Sequence, residues 1–354
     1  MEEVIRQICQ STNKLGISNK IVCLSSSCHQ KEIIETEYGD VYCYPLTVEI
    51  ASCGFSWALW KDFNQLSNWA DVIHYQFPWP FADILALIRQ NKNTPYIVSY
   101  QSDIVRQRLW LRLYKPLMVK FLNNAHAVVA TSPNYIASSK ILNGLKRKPE
   151  LIPNGIDDEL GSSSYEQQKA ELRAKYGEGF YLFIGAFRYY KGLKYLLESA
   201  KITKLPIVIV GSGPELKVIK QFIRENQLTH VHILGQVSDN QKHALISLAK
   251  ALVLPSSERS EAYGMVLLEA ARQGTPMIST ELGSGTSFIN VHGKTGLVVP
   301  SKNASELAKA MQYMQANPTE VAQMAIKAKS RFKTEFTSQI MARAYKQLYS
   351  RFIA

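Results

Sequence analysis

A chain of 354 residues, 46% of them apolar, is too long for one ordinary core and too apolar for a disordered protein, so two ordered domains are expected. The formal charge of +12 is uneven: residues 1–160 carry 16 basic and 15 acidic side chains, whereas residues 161–354 carry 25 and 14, so the excess belongs to the second half, where it suits a soluble basic surface or a field that recruits anions. Five cysteines, Cys9, Cys23, Cys28, Cys43 and Cys53, all in the first sixth and without a C-x2-C pair, argue against a disulfide framework or zinc site and for reduced thiols in a cytoplasm; the polar opening MEEVIRQ is unlike a secretory signal, and no run approaches the roughly 18 apolar residues of a membrane span.

Residues 2–15 read as a helix with Val4, Ile5, Ile8 and Leu15 on one stripe. Strand patterns follow at 20–24, 41–45, 71–75, 95–100, 126–131 and 150–152, with helical patterns between several of them, an alternation that predicts a mostly parallel, doubly wound sheet. His74 and His126 read as strand-end and core histidines, while Gln101 stands where the strand 95–100 runs out. Beyond it Arg106, Arg108, Arg112, Lys115 and Lys120 interleave with Leu109, Trp110, Leu113, Leu117 and Phe121, a basic amphipathic helix suited to an anionic membrane surface or to a solvated position on the core. The polar run 161–169 reads as a linker, and strand patterns resume at 181–187, 206–211, 231–235, 251–254, 277–280 and 296–300 before a last helix at 337–352.

Three turns of the second half carry chemistry. The segment 185–192, GAFRYYKG, follows its first strand with Arg188 and Lys191, a guanidinium fork and a point charge of the kind that binds a diphosphate. Gly211-Ser212-Gly213 follows the next strand, but the third glycine of a dinucleotide fingerprint is missing, so the motif fits a nucleotide contact or a plain turn. Most informative is 255–300. The strand 251–254 meets the loop 256–264, a helix follows with Met265 and Leu268 at helical spacing, and Gly274 and Pro276 end it. The loop therefore lies at the carboxyl end of a strand, where open α/β sheets bind ligands, and Gly264, Met265 and Val266 offer helix N-terminal N–H groups to an anion. Glu261 and Glu269 supply carboxylates that accept hydrogen bonds from hydroxyls, so a ligand with a phosphate between two sugar parts, a nucleoside diphosphate sugar, fits the pattern.

Glu261, seven residues, Glu269, then Ala270 and Gly274-Thr275-Pro276 resemble the E-x7-E signature of the retaining glycosyltransferases of family 4, and residues 278–300 resemble their bacterial O-antigen mannosyl- and rhamnosyltransferase branch. A lone E-x7-E is usually two solvated glutamates; the Gly-Thr-Pro and Gly-x-Gly context makes this one specific. The resemblance implies the α/β GT-B fold, two Rossmann-like domains facing across a cleft: an acceptor-side domain over 1–160, a nucleotide-sugar domain over 161–336, and a helix, 337–354, that crosses back. It implies that Glu269 holds the ribose hydroxyls and Glu261 the transferred sugar, that the backbone of Ala262, Tyr263, Gly264, Met265 and Val266 meets the diphosphate, and that Gly211 and Gly213 lie near the nucleotide.

Two departures from the family pattern stand out. Ala186 occupies the place of the usual Arg while Lys191 keeps its own, which leaves Arg188 as a replacement, and Gln101 stands where relatives carry a His that approaches the donor sugar or its phosphate. The resemblance also implies a donor such as GDP-mannose or GDP-rhamnose, a lipid-linked oligosaccharide acceptor, no metal ion, no nucleic acid, and a peripheral place on the inner face of the cytoplasmic membrane. Relatives begin with a strand and a Gly-Gly loop before a helix like 2–7, so about 15–20 further residues are expected upstream, in the middle of the first sheet. A nucleotide-sugar epimerase, a basic nucleic-acid-binding protein and a catalytically impaired sugar-nucleotide-binding protein remain as alternatives.

Overall fold

The computed structural model describes residues 2–50, 53–104, 108–159 and 165–353, with residues 108–111 described by backbone alone. Arg106 and the linker residues 161–164 lie outside this set. The chain divides into two compact units, Met1–Asp157 with Ser338–Ala354, and Asp158–Thr337.

In the first unit, β1 (Lys20–Ser25), β2 (Glu32–Ile34) and β3 (Asp40–Pro45) form a sheet ordered β1-β3-β2, parallel between β1 and β3 and antiparallel between β2 and β3. β4 (Val48–Ile50) and β5 (Cys53–Phe55) make a separate antiparallel pair, and β6 (Ile73–Phe77), β7 (Tyr96–Tyr100), β8 (Ala127–Ala130) and β9 (Glu150–Leu151) a parallel sheet in that order. The single mostly parallel sheet expected here is therefore divided among the described residues. β2 and β4, all of whose residues are exposed, escaped the sequence pattern because no alternation of burial marks a strand of three exposed residues.

The helix Ser338–Ser350 packs on the helix Glu2–Asn13 and fastens to the end of the unit's first segment through Ser338, whose N–H donates to Ile156 O at 2.9 Å. Two of its tyrosines reach a histidine on β6. The hydroxyl of Tyr349 lies 2.9 Å from His74 Nδ1, and Ser99 Oγ, 2.7 Å from His74 Nε2, lies 2.8 Å from the hydroxyl of Tyr345.

In the second unit β10 (Tyr181–Ile184), β11 (Ile207–Val210), β12 (Val231–Leu234), β13 (Ala251–Leu254), β14 (Met277–Glu281) and β15 (Gly296–Pro300) form one parallel sheet ordered β12-β11-β10-β13-β14-β15. β11 and β13 are buried throughout, as their continuous apolar runs require in a sheet covered by helices on both faces. The core joins Phe183, Phe187, Leu196, Ile209 and Val253 to Met311 and Met314 of the helix Ala304–Ala316. Two boundaries differ from expectation. β10 stops at Ile184, so 185–187 belong to the following loop, and residues 165–169 are not linker but the start of the helix Tyr165–Tyr176.

Burial pushes His74 down to about 3, so the folded protein holds it neutral where the unfolded chain binds a proton below about pH 6.5. The unfolded state then carries the extra proton, and stability falls as the pH is lowered through that window. In His74→Gln the fall of the thermal midpoint between about pH 6.5 and pH 4 should be shallower than in the wild type. Parallel slopes would mean that His74 does not titrate on unfolding.

Candidate active site

Taken in chain order, the six strands of the second unit lie 3-2-1-4-5-6, so the order reverses between β10 and β13. Crossover connections leave such a point in opposite directions and open a crevice at the carboxyl ends of the two strands. The loops found there are 185–192 and 255–264. They are held edge to edge: Gly192 has φ +69°, a Cβ on it would lie 1.9 Å from Pro255 O, and Ser257 N–H donates to Tyr190 O at 2.7 Å. Only glycine permits this approach.

Gly211-Ser212-Gly213 closes on the same loop. Phe187 N–H donates to Ser212 O at 2.8 Å and Glu215 N–H to Phe187 O at 3.1 Å, while a Cβ on Gly211 would meet Gly185 O at 2.1 Å. Both glycines thus have a packing role that needs no ligand.

The 3-10 turn Tyr189–Lys191 aims Lys191 across the junction, where its Nζ lies 2.6 Å from Glu261 Oε2. Ser256 Oγ donates to the same oxygen at 2.8 Å, and the Glu261 side chain is only 8% exposed. A buried carboxylate with a cation and a hydroxyl on one oxygen is held in a single orientation. Glu269 sits in the helix Met265–Gln273 and accepts from Lys242 Nζ at 2.9 Å. Burial pulls Lys242 down, but the charge of Glu269 and its bonds to Glu269 and Asp239 outweigh this and hold it above the ordinary lysine value. Beside it, burial and the charges of Arg272 and Lys242 push His243 down to about 4, with Arg272 Nη2 2.8 Å from its Nε2.

The helix N-terminus is set by Gly264, whose φ of +84° turns the chain into the helix and whose Cβ would lie 2.9 Å from Leu254. Leu267 N–H donates to Gly264 O at 2.8 Å, and the N–H groups of Met265 and Val266 precede the first intrahelical partner. Ala262 O accepts from Gly285 N–H at 2.7 Å, and a Cβ on Gly285 would meet Tyr263 at 2.4 Å, so the glycine-rich segment after β14 supports the loop that carries Glu261.

The second unit therefore gathers Lys191, Glu261, Glu269, Ala262, Tyr263, Gly264, Met265, Val266, Gly211 and Gly213 at one end of its sheet. Arg188, the exposed N-cap of the 3-10 turn, has no part in the Lys191–Glu261 pair. Gln101 belongs to the first unit, where its Nε2 donates to Gln76 Oε1 at 2.9 Å. Sequence reasoning missed Ser256, Lys242 and Gln76. None belongs to a spacing motif; a lysine one helix away from Glu269 carries no local signal.

Because the contact of Gly192 with Pro255 O is backbone on both sides, no side-chain rotation relieves an added methyl group. Gly192→Ala should lose roughly 1–3 kcal/mol of stability, read by chemical denaturation. An undisturbed midpoint would show that the two loops can part.

Comparison with known proteins gives the arrangement a family. The sequence profile for glycosyl transferases group 1 matches residues 164–331, and that for Glycosyltransferase Family 4 matches residues 1–160. The chain is 41% identical over 340 residues to the D-rhamnosyltransferase WbpZ of Pseudomonas aeruginosa, covering 96% of this chain and 88% of that protein. It is 38% identical over 351 residues to the O-antigen chain mannosyltransferase C of Escherichia coli, covering 99% and 94%. Among solved structures, sucrose-phosphate synthase of Thermosynechococcus elongatus superposes with a TM-score of 0.79 at 21% identity, over 98% of this chain and 92% of that one. HepE of Anabaena in complex with UDP does so with a TM-score of 0.71 at 18% identity, over 88% and 86%. Two Rossmann-like domains, two profiles that together span most of the chain and relatives at this identity lead to one conclusion: the chain belongs to glycosyltransferase family 4 and is a glycosyltransferase of GT-B fold.

Proposed function

We propose that the protein transfers a hexose, mannose or rhamnose, from a GDP-linked donor to a lipid-linked O-antigen or similar polysaccharide, with retention of anomeric configuration and without a metal ion. The observation that carries this reading is the meeting, where the strand order reverses, of a helix N-terminus, the Lys191–Glu261 pair and Glu269. A diphosphate needs positive potential, and the N–H groups of Met265 and Val266 with the Lys191 ammonium provide it as the leaving group gains charge. Arg188, exposed three residues before Lys191, adds a second cation to that task. Glu261 takes hydroxyls of the transferred sugar and Glu269 those of the ribose, each carboxylate having one oxygen engaged by a lysine and the other able to accept. Gly211 and Gly213 keep the turn beside Phe187 narrow enough for a nucleotide to approach the backbone.

In the first unit Gln101 supplies a hydrogen bond to substrate. Departure and attack on one face of the sugar need no protein nucleophile, and none is assigned. The relatives that transfer D-rhamnose and mannose support the hexose. An anionic membrane surface as the place of the acceptor is supported by the helix Arg108–Asn124, where exposed Leu113 stands beside exposed Arg112 and Lys115. No helix among the described residues is long and apolar enough to cross a membrane. A thermal-shift screen of GDP- and UDP-sugars tests the donor directly, since a ligand at 100 times its Kd stabilises by about 2.7 kcal/mol. A response to UDP-sugars alone would overturn the GDP assignment.

Glu269→Ala should weaken binding of donor and of free GDP alike, by about 1.5–3 kcal/mol, because the ribose is common to both. Calorimetry reads the affinity, and unchanged GDP binding with reduced turnover would remove Glu269 from the ribose. Glu261→Gln keeps the shape and the bond from Ser256 but weakens the hold on the sugar, so free GDP binding should persist while kcat falls. Full turnover in this variant would take Glu261 out of the reaction.

A further inference from the structure

Gln101 is the end of a hydrogen-bonded chain that starts in the helix Ser338–Ser350. Its Nε2 donates to Gln76 Oε1 at 2.9 Å, and Gln76 Nε2 lies 3.2 Å from His74 Nε2. An amide N–H only donates, so His74 Nε2 accepts. A neutral imidazole with that nitrogen unprotonated carries its proton on Nδ1, which is donated to the hydroxyl of Tyr349 at 2.9 Å. Ser99 Oγ shares the lone pair of His74 Nε2 at 2.7 Å and lies 2.8 Å from the hydroxyl of Tyr345. With its NH2 group on this nitrogen, Gln76 turns its carbonyl toward Gln101.

We propose that Gln76 is a positioning residue for Gln101 and makes it a reader of a sugar hydroxyl rather than of a phosphate. This rests on the reading of Gln101 as a substrate contact. With one N–H engaged by Gln76, the Gln101 amide presents Oε1 and one remaining N–H. A hydroxyl donates as well as accepts and satisfies both; a phosphate oxygen only accepts and leaves Oε1 facing a negative charge. Adjacent parallel strands bring the pair together: Gln76 is paired with Ser99 in the β6–β7 register, and Gln101 N–H donates to Phe77 O at 3.0 Å just past its end. Without the chain below it, the Gln101 amide could turn over and present its NH2 group instead.

The test is a set of variants assayed with GDP-mannose and GDP-rhamnose, with free GDP binding measured alongside. Gln76→Leu removes both halves of the link and should lower kcat about tenfold, the loss of one hydrogen bond of ordinary strength, with GDP affinity unchanged. Gln76→Glu still accepts from Gln101, and His74 can answer by moving its proton to Nε2 and accepting from Tyr349; this variant should recover most of the lost kcat. Gln76→Leu combined with Gln101→Ala should be no slower than Gln101→Ala alone. Wild-type kcat in Gln76→Leu, losses that multiply in the double variant, or a Gln76→Glu as slow as Gln76→Leu would overturn the positioning role. If Gln101→Ala itself turned over at the wild-type rate, the reading of Gln101 as a substrate contact would fall, and the proposal with it.

Discussion

Everything in the second unit follows from the reversal of strand order between β10 and β13. Two neighbouring parallel strands whose onward connections leave in opposite directions cannot cover the space beyond their carboxyl ends, and only the loops can shape it. Here those loops are pressed together until one backbone rests on the other. Gly192, Gly211 and Gly213 are therefore first of all packing residues, and any nucleotide contact they make uses an approach that packing has already created. Placing Lys191 against Glu261 uses the same contact, because the turn that carries the lysine meets Pro255 and Ser257.

The ion pair itself shows why buried charge suits such a site. Lys191 and Glu261, with side chains 14% and 8% exposed, offset each other's charge where little water reaches them. On the reading proposed above, an incoming diphosphate takes the charge of Lys191 while a sugar hydroxyl donates to Glu261, so both side chains keep a polar partner when the ion pair is given up. Lys242 and Glu269 repeat the arrangement one helix away.

Much of this was legible in the chain. The apolar runs of β10, β11 and β13 and the mixed patterns of β12, β14 and β15 marked the strands of the second unit, and the 255–300 stretch marked the loop after β13, its helix and both glutamates, because glycine and proline punctuate that segment at fixed places. What stayed hidden was tertiary. β2 and β4 are short and exposed, so no periodicity reveals them. Lys242 and Ser256 act on the glutamates from another element or the far side of a turn, and a lysine looks the same in sequence whether it faces solvent or a carboxylate. Gln76 was invisible for the same reason: its meaning comes from His74, Ser99 and two tyrosines late in the chain. His74, set aside as a strand-end residue, is one by position and a relay by connection.

Tyr349 stands 275 positions after the His74 it touches, and the helix that bears it is part of the first unit. The second unit is thus an insertion within the first. As the chain leaves the ribosome, residues 158–337 have their whole six-stranded sheet to hand and can close their core while the opening half still waits for the partner of its buried histidine. The half made first is the half finished last, and for that interval it is the one that depends on shelter from aggregation.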